Sequence, residues 1–372
     1  MSNPKTLAFY LPQYHAIPEN DEWWGKGFTE WTNLKRAVPL FDGHDQPRIP
    51  LSNNYYDLTD DAVKEWQVRI AKSHGVDGFC FYHYWFGGKL MLERPLDQFL
   101  ANKDLDIEFC FCWANPPWTK IWAGKGSQVL IGQDYGDEEQ WEAHFQYLLP
   151  FFKDDRYIKE DGAPLFVIYT PIEIPCIKEM LEFFKKRAVE EGFTGLKTAY
   201  QYYVSEAEDA KLRPLFDYCI TFQPTYATAA ESGNSAVKSG LMSALKKVDA
   251  FSQKVFHFSP SDHLLKLRRY DYDKVWEDVL NRPIKAKDLP CAFVDFDNTP
   301  RRGKSGKMMM GASPEKFKRY FRRLLKRAKD EYHAKYLFIT AWNEWTEGAY
   351  LEPDETHGFG YLDAIAELMA ED

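Results

Sequence analysis

Cysteine, positive net charge and long apolar runs are all scarce in this chain, and each shortage closes off a class of function. Only 6 of 372 residues are cysteine, and Cys80, Cys110, Cys112, Cys219 and Cys291 fall in apolar, strand-like runs. That distribution indicates small buried thiols rather than a disulfide framework, and it fits a reducing cytoplasm. No cluster of His, Cys and Asp has zinc spacing and no calcium loop occurs, so no metal and no cofactor is expected. A glycine-rich phosphate turn is missing after the first strand, where Pro12-Gln-Tyr-His15 stands, and there is no Gly-x-Ser-x-Gly elbow. A net charge of -9 argues against nucleic acid or an anionic membrane as the main partner. The basic stretches Lys185-Lys-Arg187 and Arg322 to Arg327 sit in helical patterns and are expected to be solvated faces. No run approaches the length of a spanning helix, and the amino terminus has neither an apolar h-region nor a cleavage site. A cytoplasmic protein without an integral membrane segment is expected.

Aromatic residues are abundant instead, at 16%, with 12 Trp and 22 Tyr. Two readings compete: a large core, or a groove whose rings stack on the apolar faces of sugars.

Apolar runs alternate with helical periodicity along the chain. Strands are expected at Leu7–Leu11, Gly78–Tyr84, Ile107–Trp113, Leu165–Thr170, Leu196–Tyr203, Tyr218–Phe222, Cys291–Asp295 and Tyr336–Ala341. Helical patterns lie between most of them: from Thr59 to His74 with Val63, Trp66 and Ile70 inward, then 137–152, 174–187, 313–330 and 361–369. The span from 224 to 289 reads as an insertion between strands six and seven, with helices near 235–245 and 272–280, forming an active-site wall within one domain. Continuous apolar strands separated by helices pair in parallel, and eight such units predict a closed (β/α)8 TIM barrel with long active-site loops. An open doubly wound sheet is the rival, but it would want the phosphate turn that is missing.

A barrel gathers its chemistry at the carboxyl ends of its strands. Those ends carry Tyr14 and His15, His83 and Tyr84, Trp113 and Asn115, Tyr202, Gln223, Asp297 and Asn298, and Glu344 with Glu347. The last set is the most telling, because Glu344, Glu347 and Glu352 follow the eighth strand among Trp342, Trp345 and Tyr350. Acids beside that much apolar surface lose water unless something pairs or binds them. Glycoside cleavage needs a proton for the leaving oxygen and a carboxylate to stabilise developing positive charge, which makes Glu344 and Glu347 the best pair in the chain. The alternative for either is a carboxylate that only holds an indole or a backbone amide. Glu352 is assigned to support. His15 and His83 either bind hydroxyls or are satisfied core groups. Asp297, Asn298 and Arg301 either grip hydroxyls or serve turn chemistry. Trp23, Trp24, Trp31, Trp113, Trp118 and Trp345 divide between sugar platforms and loop packing.

Ala8-Phe-Tyr-Leu-Pro-Gln-Tyr-His15, Glu22-Trp-Trp24, Gly27-Phe-Thr-Glu-Trp31 and Ala341-Trp-Asn-Glu-Trp-Thr-Glu-Gly348 with Leu351-Glu-Pro353 resemble the WbsX-like proteins. These belong to bacterial polysaccharide gene clusters, often labelled glycosyltransferases, and are similar to glycoside hydrolase family 99. The resemblance implies a (β/α)8 barrel that cleaves α-mannoside-like linkages inside a glycan with retention, the substrate's 2-hydroxyl acting as internal nucleophile. It would make Glu344 the group assisting that hydroxyl and Glu347 the acid/base, with Tyr84, His83 and Asn343 as neighbours. The expected partner is an oligo- or polysaccharide. A glycosyltransferase is the first alternative, for which Asp271-Tyr-Asp273 and Asp295-Phe-Asp297 match the short Asp-x-Asp pattern; a non-catalytic carbohydrate-binding barrel is the second.

Overall fold

The computed structural model describes residues 3–119, 129–202, 205–228 and 267–371. Nine parallel strand segments form the central sheet: β1 (Lys5–Tyr10), β2 (Gly78–Phe86), β3 (Glu108–Trp113), β4 (Ala163–Ile168), β5 (Lys197–Gln201), β6 (Tyr218–Ile220), β7 (Asp288–Leu289), β8 (Cys291–Phe293) and β9 (Tyr336–Thr340). They hydrogen-bond in the order β7-β6-β5-β4-β3-β2-β1-β9-β8. Only Pro290 separates β7 from β8. Having no N–H, it breaks the ladder there, while its carbonyl still accepts from the Phe338 amide at 3.0 Å. The two segments therefore act as one stave, and a nearly closed eight-stave barrel results. All eight expected strands are present.

Helices link the staves: Asp61–Ser73, Arg94–Ala101, Glu138–Lys153, Ile177–Glu190, Glu206–Leu212, Tyr272–Asn281 and Pro314–Asp330, with Gly360–Met369 closing the chain. Their starts follow capping chemistry. Asp60, Asp137, Ser205, Asp271 and Ser313 each accept from a first-turn amide. The helix expected at 235–245 lies outside the described residues.

One helix face differs from expectation. In Asp61–Ser73 the buried residues are Lys64, Gln67, Val68, Ile70 and Ala71, while Val63 and Trp66 are only half-buried. Polar side chains face inward because the structure beneath supplies partners: the Lys64 ammonium donates to the Leu58 carbonyl at 2.9 Å, and Gln67 joins Tyr10 and Glu352. The six cysteines are all free, and five are buried. No helix among the described residues is long and apolar enough to cross a membrane.

Candidate active site

A cleft of about 810 Å³ opens at the carboxyl ends of the barrel strands. Leu11 and Gln13 enter it from beyond β1, Tyr82 and Tyr84 from β2, Tyr169 from beyond β4, Phe222 and Gln223 from beyond β6, and Thr340, Glu344 and Glu347 from the end of β9. The loop after β9 turns sharply. Gly348 has φ +62°, and a Cβ there would lie 2.8 Å from the Asp297 amide, which donates to the Glu347 carbonyl at 2.6 Å.

Two residues from the sequence set fix that loop to β1. The Tyr14 hydroxyl donates to the Asn343 carbonyl at 2.6 Å and accepts from the Trp345 amide. The Asn343 side chain accepts from the Leu11 amide at 2.7 Å and donates to its carbonyl at 3.1 Å. Both side chains are buried and position the acids without lining the cleft.

Arg301 is the centre of the site. Its Nη1 donates to Glu347 Oε1 at 2.6 Å, its Nε and Nη2 reach Glu30 Oε2 at 3.1 and 3.0 Å, and its Nη2 lies 3.7 Å from Glu344 Oε2. Thr346 also donates to Glu30, at 2.6 Å. One guanidinium thus faces three carboxylates, and its charge cannot offset all of them. Glu344 has the weakest claim, because its Oε2 is buried without a hydrogen-bond donor. Burial, then repulsion from Glu347 and Glu30, push its pKa up to about 8 against the opposing pull of Arg301. The direction favours the protonated form of Glu344, while Glu347, about one-third exposed, stands at the cleft rim held by Arg301.

Of the sequence candidates, Tyr84, Gln223, Asn298, Arg301, Glu344 and Glu347 line the cleft together. Tyr84 holds its hydroxyl proton strongly because it is buried beside Glu344, and it accepts from Gln13 Nε2 at 2.9 Å. Several other candidates turn away, and most have a structural task. His83 stacks on Tyr147 and meets His144 at 2.9 Å between Nε2 atoms under the helical layer; burial lowers its pKa to about 3. His15 is buried off the cleft, and burial lowers its pKa too. Trp113 donates its indole N–H to the Trp85 carbonyl, and Trp31 donates to that of Tyr56. Asn115 exchanges two hydrogen bonds with the Thr170 backbone, tying the end of β3 to that of β4. Tyr202 faces Glu206. Asp297 accepts from Gln46 at 2.7 Å, from the Thr299 amide, and sits 2.9 Å from His44 Nε2. Trp345 stacks on Tyr350 with centroids 3.8 Å apart and donates to Glu352. Of the tryptophans, Trp24 and Trp118 line the cleft.

Glu30 was not singled out from sequence. It lies in the Gly27–Trp31 segment quoted for the resemblance, at the first turn of helix Glu30–Lys35, where an acid is commonplace for helix-dipole reasons. Gln13, Tyr82, Tyr169 and Phe222 were missed as well. A strand-parity count would have found Tyr82, two residues from Tyr84 on one face of β2. The acids of both Asp-x-Asp matches are engaged in other contacts. Asp271 caps a helix, Asp273 pairs with Lys316 and Arg319, Asp295 with Arg48, and Asp297 is bound as above. No group of His, Cys, Asp and Glu among the described residues could hold a metal ion.

Comparison with known proteins agrees with this architecture. The chain is 34% identical over 371 residues to the uncharacterized protein WxcX of Xanthomonas campestris pv. campestris strain B100, covering 98% of this chain and 50% of that one. The chain thus spans about half the length of the curated relatives it matches. Among solved structures, a family GH99 endo-alpha-mannosidase from Bacteroides thetaiotaomicron aligns with a TM-score of 0.55 at 15% identity, covering 100% of this chain and 98% of that one. A structure described as a glycoside hydrolase-like protein aligns with a TM-score of 0.53 at 12% identity, covering 99% and 94%. These two likenesses establish the barrel. The family described as glycosyltransferase WbsX matches residues 6–365. A match over nearly the whole sequence, on a barrel with acids at its carboxyl-terminal mouth, means that the chain belongs to the WbsX family.

Proposed function

We propose that this chain is a cytoplasmic, endo-acting, retaining glycoside hydrolase that cleaves α-mannoside-like linkages of a bacterial surface polysaccharide. One observation carries the reading: Glu344 and Glu347 share a cleft around Arg301, and a buried oxygen of Glu344 has no donor.

The pair needs one proton for the reaction. Burial and the neighbouring carboxylates favour placing it on Glu344. A sugar 2-hydroxyl that donates to the Glu344 carboxylate stabilises its charged form, as hydrogen bonds to a charged group do, and leaves the proton to Glu347 at the rim. The 2-oxygen then attacks the anomeric carbon as Glu344 takes its proton, and Glu347 protonates the departing glycosidic oxygen. Water opens the resulting 1,2-anhydro sugar from the leaving-group side, giving its proton to Glu347 while Glu344 returns one to the 2-oxygen. Two inversions at one carbon amount to retention. Tyr84 and Gln223 are assigned to substrate hydroxyls, Trp24 and Trp118 to the sugar's apolar faces. Of the 224–289 segment, the described members Pro224, Thr225 and Arg268 line the cleft.

The family's description favours a second reading, transfer of the sugar from a nucleotide to an acceptor. The deciding experiment incubates the protein with α-mannosyl and α-rhamnosyl oligosaccharides and polysaccharides, with and without nucleotide sugar and divalent metal. Sugar release without donor, lost in Glu344→Gln and Glu347→Gln, supports hydrolysis; strict dependence on the nucleotide sugar overturns it.

A further inference from the structure

One wall of the cleft carries cations that make no ion pair among the described residues. Strand Arg268–Asp271 pairs in parallel with strand Lys307–Met310, and Arg268 lies in register with Lys307. Both line the cleft, as do Arg302, which ends the short helix Thr299–Arg302, and Arg36, which follows helix Glu30–Lys35. None of these four is in an ion pair among the described residues, while the three carboxylates of the cleft are all gathered on Arg301. In a chain of net charge -9, the mouth of the barrel is thus locally positive.

This arrangement costs stability. Like charges opposite each other on paired strands repel. Lys307 registers the repulsion: burial first, then Arg268 and Arg302, lower its pKa, and Glu347 opposes them. The direction of Arg268 is also specific, because its neighbour Arg269 lies 3.7 Å over the ring of Phe41 instead. A bound anion would relieve the repulsion. The guanidinium forks of Arg268 and Arg302 suit the paired oxygens of a carboxylate or phosphate, and Lys307 adds a point charge beside Glu347.

We propose that Arg268, Arg302 and Lys307 form an anion subsite, so that the saccharide bound in the cleft carries a carboxylate or phosphate next to the linkage that reacts. The proposal rests on the cleft being a saccharide site. Two sources share this chemistry, an acidic sugar residue and the diphosphate of a nucleotide sugar.

Tryptophan fluorescence titration of the full chain tests it, with three probes: a glucuronate-containing oligosaccharide, the same oligosaccharide after carboxyl reduction, and uridine diphosphate glucose. At low salt at least one charged probe should bind about tenfold or more tightly than the reduced oligosaccharide. The advantage should vanish in roughly 0.5 M salt and in the triple variant Arg268→Ala, Arg302→Ala, Lys307→Gln. Preference for the glucuronate probe assigns an acidic glycan; preference for the nucleotide sugar assigns the diphosphate. Equal affinity for all three, or a preference that survives in a triple variant whose Tm is unchanged, overturns the subsite. Donor-free sugar release at equal rates from charged and carboxyl-reduced glycans would keep the hydrolase reading and remove the subsite. Anion binding without sugar release from any glycan would do the reverse.

Discussion

Glu344 and Glu352 belong to the same loop after β9, both are buried, and burial raises both, to about 8 and about 7. Their surroundings differ. Glu352 receives Tyr56 at 2.8 Å, Gln67 at 2.7 Å and the Trp345 indole at 2.7 Å. Glu344 opens onto the cleft, and its Oε2 has no donor. Burial therefore does not by itself separate a reacting carboxyl from a supporting one. What separates them is whether the protein fills the hydrogen-bonding capacity or leaves it for a substrate.

The sharpest test of that contrast is to neutralise each acid. Glu344→Gln and Glu347→Gln should each lower sugar release by about 10³-fold while Tm stays within a few degrees; Glu352→Gln should lose much less. Equal losses in all three would erase the distinction. Truncation should invert the order for stability. Glu352→Ala strands the Tyr56, Gln67 and Trp345 donors and should cost about 3 kcal/mol in urea unfolding, against under about 1 kcal/mol for Glu344→Ala. At the cleft surface, Trp118→Ala removes a ring that lines the site near Tyr84 and Phe86. It should raise KM about tenfold with kcat nearly unchanged, which steady-state kinetics will show.

The smallest effect is the pH dependence of stability. Both carboxyls bind their proton more tightly in the folded state than in the unfolded chain, where glutamate titrates near 4.5. Their contribution is complete below that value and is lost as pH rises through about 7 for Glu352 and about 8 for Glu344. Tm should therefore fall by a few degrees between about pH 5 and 9. Glu344→Gln should flatten the alkaline end of the fall, and Glu352→Gln the part near 7. A wild-type Tm that rises across this range would contradict both assignments.

Much of the barrel was legible because strand and helix periods differ. The runs around Phe79, Phe111 and Phe338 are apolar on both faces, as staves packed between a lumen and helices must be. The expectation of a wall at 224–289 rested on composition, and residues 229–266 lie outside the described residues. The acids were legible because Glu344 and Glu347 stand among tryptophans where packing alone would not put them. The strand-end polar residues were less so. His83 and Tyr84 are adjacent, yet one faces the helical layer and the other the cleft, since successive strand side chains alternate faces. His83 is in register with Trp113, and both turn outward; Tyr84 and Ala114 reach the cleft.

By itself, then, the sequence determined the alternating strands and helices, the acid-bearing loop after the last strand and the aromatic supply around it, because periodicity and desolvation cost are local properties. Only the tertiary structure decided which polar groups meet. Glu30 and Arg301 are 271 residues apart, and their pairing, the raised pKa of Glu344 and the gathering of Arg268, Arg302 and Lys307 at one cleft all depend on distances that exist only once the barrel has formed.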